Sequence, residues 1–300
     1  MRKFNNYLSL IKFSHTIFAM PFALLGFFIG VFQLNNNTQN GWPVIQSYFT
    51  KNYTVFIFVI LCMVFARSAA MAFNRYLDRE FDAKNPRTAI REIPSGIISA
   101  SSALRFTLLN IILFAASAYM INTTCFLLSP IALIVILGYS YTKRFTSLCH
   151  LVLGLGLSLA PAGAFIAVTE TMIPSVFFLS ISVMGWVAGF DIIYSLQDDQ
   201  FDASQGLFSI PSRLGRDKSL LVSRILHFAT AVLIVAAGLQ FNFHLVYFIG
   251  TSLFIALLIF QQSLVKSNDL SRVNIAFMTA NGIASIVFSI FAIADLIFYK

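Results

Sequence analysis

Acidic residues are scarce in this chain, twelve in 300, and most of those able to do chemistry fall into two short motifs. Asn74, Asp78 and Asp82 recur every fourth residue, a spacing that lines up three oxygen-bearing side chains on one helical face. Asp198 and Asp202 repeat the spacing, and Asp191 lies seven residues before Asp198 on roughly the same face. Hard divalent cations prefer oxygen ligands, and magnesium typically takes one or two carboxylates together with substrate phosphates and water. Two carboxylate clusters facing each other would repel strongly without bound cations, so the pattern reads as a magnesium diphosphate site. The competing reading makes these solvated loop acids in helix caps or surface salt bridges. It is the weaker one, because the spacing occurs twice among so few acids.

Basic side chains accompany the acids. Lys143 and Arg144 follow Tyr139, with Lys143 one helical turn beyond it, and Arg87 and Arg91 follow the first motif. Phosphate oxygens favour such donors. The concentration of Lys and Arg in cytoplasmic loops would account for Arg87 and Arg91 equally well, and for those two both readings stand. Arg67, seven residues before Asn74, and Asp191 stand inside apolar runs, where ionisable groups are costly and are functional candidates by default. Arg67 would help hold an anionic substrate, and Asp191 would orient Tyr194 or that substrate. Alternatively the two form a structural ion pair. His15, His150, His227 and His244 lack ligand spacing and read as interfacial or packing residues. Cys62, Cys125 and Cys149 read as packing residues too.

The elements that carry these residues are membrane spans. At 58% hydrophobic and 11% charged residues, with a mean hydropathy of +0.81, the chain lies far from soluble domains, which are roughly 25% charged. Crossing the hydrocarbon takes about 20 apolar residues. Candidate spans lie near 14–33, 53–73, 103–121, 124–141, 148–168, 173–193, 219–240, 243–264 and 275–298, with only Asn122 and Thr123 between the third and fourth. The basic start followed by an apolar run lacks a cleavage pattern, so it reads as a retained first helix. Lys and Arg concentrate in the N-terminal segment and in the loops after spans two, four, six and eight, while the other side keeps little more than Lys51 and Lys300. That asymmetry puts the N-terminus and the loops 74–102 and 194–218 in the cytoplasm. It also explains the net charge of +8 without nucleic acid as a partner. No hydrophilic stretch is long enough to fold separately, so residues 1–300 are expected to form one domain.

An internal repeat supports this layout. The run from Asp78 to Ala83 reads against the run from Asp198 to Ala203, and Ile93-Pro94-Ser95 answers Ile210-Pro211-Ser212. Four spans separate the two copies, so both face the same side of the membrane.

Together, Asn74-x3-Asp78-x3-Asp82, Tyr139-x3-Lys143 and Tyr194-Ser-Leu-Gln-Asp198-x3-Asp202 resemble the UbiA superfamily of intramembrane aromatic prenyltransferases. The run with Asp191, Tyr194 and Gln197 most resembles its 4-hydroxybenzoate polyprenyltransferase branch. The resemblance implies an all-α integral membrane bundle of about nine helices around a central cavity, capped by cytoplasmic loops and open sideways to lipid. It implies that Asn74, Asp78, Asp82, Asp198 and Asp202 hold Mg2+ and diphosphate, with Tyr139 and Lys143 beside them. The activity implied is Mg-dependent transfer of a polyprenyl group from polyprenyl diphosphate to a small aromatic acid, 4-hydroxybenzoate first, in respiratory quinone biosynthesis at the inner (cytoplasmic) membrane. Two departures stand out. Many members have Arg-Pro where this chain has Arg91-Glu92, and an Ile-Lys-Ser-Thr run where it has Leu207-Phe208-Ser209-Ile210-Pro211. These variants keep a naphthoate-type acceptor for menaquinone, including the futalosine route, as an alternative. A membrane transporter is the rival from another class, but transporter sites usually lie near the midplane and these motifs lie at span ends.

Overall fold

The computed structural model describes residues 2–11, 18–35 and 41–299, and among these the regular structure is helical, with a single isolated bridge between Lys266 and Asp269. Among the described residues eight helices are long and apolar enough to cross a membrane. They are α3 (Trp42–Leu77), α5 (Ala100–Ile121), α6 (Thr123–Thr142), α7 (Cys149–Thr169), α8 (Pro174–Ser195), α11 (Arg216–Gln240), α12 (Leu245–Ser263) and a last span, Ile275–Tyr299. That last span opens with one π-helical stretch, Ile275–Ala280, and continues as α13 (Asn281–Tyr299). The short helices are α1 (Arg2–Leu10), α2 (Met20–Gln33), α4 (Arg79–Lys84), α9 (Asp199–Ser204) and α10 (Ile210–Leu214).

The expected first span, 14–33, corresponds to α2, while its residues 14–17, His15 among them, lie outside the described residues. The 14 residues of α2 cover about 21 Å at 1.5 Å per residue, less than the roughly 30 Å of hydrocarbon. The second expected span proves longer than 53–73. It lies within the 36-residue α3, which bends at Asn52, where φ −127° and ψ 22° leave helical geometry. The hairpin between α5 and α6 turns on one residue. Asn122 is extended, ends the first helix and caps the second, its side chain accepting from the Cys125 amide at 2.7 Å.

Helix α8 is the most enclosed span, packed between α7 and α11. Its Trp186, with Phe22, Phe254, Phe288 and Tyr247 from neighbouring helices, fills the interior with mutually tilted or edge-on rings. Because lipid is as apolar as these side chains, packing rather than the hydrophobic effect must hold such helices together, and small residues let them approach. A Cβ at Gly154 of α7 would sit 2.3 Å from the Met184 carbonyl oxygen of α8, and one at Gly26 of α2 would sit 2.2 Å from that of Pro161 in α7. The helices α3, α5, α6 and α7 are less enclosed than α8. Between them lies a cavity of about 280 Å³ with an almost wholly apolar lining, whose charged and phenolic groups are Arg67 and Tyr139.

Candidate active site

Both acidic motifs interrupt their helices in the same way. Helix α3 ends at Leu77, Asp78 takes φ −89° and ψ 4°, and α4 carries the chain on through Asp82. After α8 a short 3-10 turn, Leu196–Asp198, ends with Asp198 at φ −113° and ψ 5°, and α9 follows through Asp202. The Asn85 amide donates to the Phe81 carbonyl at 3.1 Å, and the equivalent Gln205 amide donates to Phe201 at 3.0 Å. The internal repeat is therefore a repeat of conformation. Each copy aims its second aspartate inward, leaving Asp82 6% and Asp202 1% exposed.

Four carboxylates meet four cations there. Arg144 donates to Asp78 at 2.9 Å, Arg91 to Asp82 at 2.6 Å and Lys143 to Asp202 at 2.9 Å. Arg87 forks onto Asp198, through Nε at 3.0 Å and through Nη2. Asn74 donates to Asp78 at 3.2 Å, as the i,i+4 spacing requires. The expected repulsion between the two clusters is thus relieved by the chain's own basic groups, one of which, Arg87, crosses between motifs. Asn85 and Arg87 belong to the first loop yet bind Asp198 of the second. Lys143, from the end of α6, feels Asp202, Asp198 and Asp78 together.

These surroundings tune the charges. Burial pushes the Asp78 carboxyl above the usual carboxylate range, although Arg144 pulls the other way. Burial works against the charge of Lys143, but Asp202 outweighs it and the ammonium is held more firmly than usual. The same contest at Arg87, burial against the hydrogen bond and charge of Asp198, also ends with the charge strengthened.

The remaining predicted residues fall around this cluster. Tyr139 and Arg67 stand at the cavity, where Arg67 Nε is buried without a hydrogen-bond partner among the described residues. The Tyr139 phenol lies within electrostatic reach of Asp191, Asp78 and Arg67. Tyr194 does not depend on Asp191, because its hydroxyl takes a 3.3 Å hydrogen bond from Arg87 and its ring stacks on Phe277 at 4.1 Å. Nor do Asp191 and Arg67 form the ion pair held open above. Asp191 instead bonds His150 Nδ1 at 2.7 Å. His150 is therefore more than the packing residue its isolated position in the sequence indicates. Sequence reasoning also passed over Asn85 and Arg75, the latter buried with Nη1 4.0 Å from Asp82. Asn85 sits three residues after Asp82, a detectable signal, whereas nothing local marks His150.

Magnesium suits this donor set. Among the described residues no three His, Cys, Asp or Glu side chains converge on one metal position, but magnesium commonly takes only one or two carboxylates and completes its shell from phosphate and water. Asp82 Oδ2 and Asp202 Oδ2 are buried without a hydrogen-bond partner among the described residues, and each is a hard oxygen of the kind such an ion would use.

A multi-pass helical protein with paired acidic motifs and cations at one end of an apolar cavity is built to hold a polyanion beside a hydrophobic chain. The UbiA prenyltransferase family model matches residues 40–283. The 4-hydroxybenzoate octaprenyltransferase of Vibrio cholerae serotype O1 is 32% identical over 232 residues, 76% of this chain and 80% of that protein. That of Aliivibrio salmonicida (strain LFI1238) is 29% identical over 255 residues, 82% and 88% of the two chains. The apo structure of a UbiA homolog from Aeropyrum pernix K1 superposes with a TM-score of 0.80 at 30% identity, covering 94% of this chain and 98% of that one. A UbiA homolog from Archaeoglobus fulgidus bound to DMAPP and Mg2+, at 20% identity and a TM-score of 0.72 over 98% of this chain and 100% of that one, shares the fold. The chain belongs to the UbiA prenyltransferase family, in its 4-hydroxybenzoate polyprenyltransferase-like branch. It is a multi-pass membrane enzyme that transfers prenyl groups.

Proposed function

We propose that the protein transfers a polyprenyl group from polyprenyl diphosphate to 4-hydroxybenzoate in a Mg2+-dependent step of respiratory quinone biosynthesis. The observation that carries this reading is the convergence of both acidic motifs and four cations beside an apolar cavity that contains Arg67. The names of the relatives favour the same acceptor. Asp78, Asp82, Asp198 and Asp202, with Asn74, would hold Mg2+, which when bound supplies positive charge to the diphosphate. As those carboxylates turn to that task, Arg87, Arg91, Lys143 and Arg144 are released toward phosphate oxygens. Charge builds on the leaving diphosphate as the allylic C–O bond breaks, so these cations stabilise the transition state more than the ground state. Arg67 binds the carboxylate of the aromatic acid, the unpaired guanidinium nitrogen being otherwise a costly thing to bury. The ring carbon ortho to the phenolic oxygen attacks the allylic cation, and loss of the ring proton restores aromaticity. The apolar cavity keeps water from capturing the cation.

The whole chain acts as one unit in this reading, in the cytoplasmic membrane with its N-terminus and both acidic motifs on the cytoplasmic side. The test uses detergent-purified protein with Mg2+, a long-chain polyprenyl diphosphate, and 4-hydroxybenzoate or a dihydroxynaphthoate in parallel, with products read by mass. Prenylated 4-hydroxybenzoate, absent with chelator and lost in Asp78→Asn and Asp198→Asn variants that still fold, is the expected result. Product with the naphthoate alone would move the protein to menaquinone synthesis. Near-normal turnover by either variant would break the two-motif clamp.

A further inference from the structure

His150 lies at the start of α7, 2% exposed, and joins two parts of the site that are distant in sequence. Its Nδ1 is 2.7 Å from Asp191 Oδ2 on α8, and its Nε2 lies 3.3 Å from the backbone amide nitrogen of Ile210. A backbone N–H can only donate, so Nε2 carries the lone pair and Nδ1 the hydrogen given to Asp191. One neutral tautomer satisfies both contacts. Ile210 begins α10, eight residues after Asp202, where Ser209 and Ser212 close a reciprocal cap. The Phe208 amide, two residues before Ile210, donates to the Lys143 carbonyl at 2.7 Å. The imidazole is thus anchored to the segment that follows the second motif.

Asp191 is the other end of the bridge. It is partly open on a helix whose neighbours Phe190, Ile192 and Ile193 are buried. Its Oδ1 has no hydrogen-bond partner among the described residues, and its charge reaches Tyr139 at the cavity. One oxygen is engaged by His150, and the other has room to accept a further hydrogen bond, the side chain being partly open. A carboxylate in this position accepts a hydrogen bond from a hydroxyl, and a phenol hydrogen-bonded to it has a more electron-rich ring at the ortho carbon.

We propose that His150 is a positioning residue that fixes Asp191 so that its free oxygen receives the phenolic hydroxyl of the aromatic acceptor. The proposal rests on the prenyl-transfer reading above and adds the group that orients the hydroxyl end of the acceptor, opposite the carboxylate end assigned to Arg67. The donor diphosphate is handled by other residues, so the two substrates separate the effect.

The stereochemistry of amides supplies the test. An asparagine places its amide nitrogen near the Nδ1 position of histidine, whereas a glutamine reaches the Nε2 position. His150→Asn therefore keeps the donor to Asp191, and His150→Gln and His150→Ala lose it. Steady-state kinetics are measured on wild type and all three, with Mg2+, a long-chain polyprenyl diphosphate and whichever of 4-hydroxybenzoate or dihydroxynaphthoate the wild type uses. Loss of a hydrogen bond to a charged group predicts an acceptor KM raised about tenfold in His150→Ala and His150→Gln. Diphosphate KM stays within about twofold throughout, and His150→Asn stays within about threefold of wild type in acceptor KM. An asparagine variant as impaired as alanine, or both KM values rising together, would show a packing role and overturn the proposal. So would variants indistinguishable from an active wild type, which would leave the prenyl-transfer reading intact. A folded wild type with no turnover of either acceptor would overturn both.

Discussion

Lys143 and Asp202 show how the site handles charge at the scale of one residue. Asp202 has a side chain 1% exposed and reaches solvent through nothing, whereas Lys143 keeps a third of its side chain accessible. Removing one partner of a buried pair leaves an uncompensated charge, a loss of 3–5 kcal/mol when both are fully buried, and solvent at Lys143 reduces this to roughly 2 kcal/mol. Lys143→Met is expected to melt several degrees below wild type and to lose turnover. Adding Asp202→Asn should restore the melting temperature while leaving turnover absent, since the carboxylate is proposed to serve the diphosphate as well. A single variant that melts with wild type would show that the pair carries no such coupling. The sequence marks both residues by spacing, but not their partnership, because 59 residues separate them and only packing brings α6 against the second loop.

At the scale of elements, the decisive contact is α7 against α8. It brings His150 within reach of Asp191, and it depends on Gly154, where any Cβ meets the Met184 carbonyl at 2.3 Å. Backbone cannot yield as a flexible side-chain end does, so overpacking here should cost about 1–3 kcal/mol. Gly154→Ala is expected to lower the melting temperature in detergent and to raise acceptor KM, whereas Gly138→Ala on α6, with nothing within 4 Å of its added carbon and outside the cavity lining, should do neither. Equal behaviour of the two would remove α7–α8 apposition from the account. Hydropathy locates both helices to within two residues at each end, α7 at Cys149–Thr169 against 148–168 and α8 at Pro174–Ser195 against 173–193. It is silent on their separation, because a helix's apolar content does not say which neighbour it will touch.

For the whole molecule, the two halves use one repeat unequally. The second half closes around α8 with aromatic rings, while the first leaves a cavity between α3, α5, α6 and α7. Both motifs nevertheless emerge on one side, proposed above to be the cytoplasmic one from the distribution of Lys and Arg. In a background lacking the three native cysteines, Lys84→Cys should resist an impermeant maleimide until the cytoplasmic face is opened. Thr171→Cys, on the exposed turn between α7 and α8, should label from outside. The reverse pattern would invert the proposed orientation.

Local order was enough to make much of this legible. Apolar runs longer than the hydrocarbon is thick can only be helices in lipid, since every backbone group must be satisfied internally. The every-fourth spacing of Asn74, Asp78 and Asp82, and of Asp198 and Asp202, survives the break in each helix because the following short helix keeps nearly the same register. Tertiary structure alone decided who pairs with whom. Arg87 reaches Asp198 across 111 residues and His150 reaches Asp191 across 41, contacts that no local pattern encodes. The reason is physical: a charge sunk in a bundle takes whatever partner helix packing sets beside it, and that packing is settled by small residues and aromatic shapes far from the motifs.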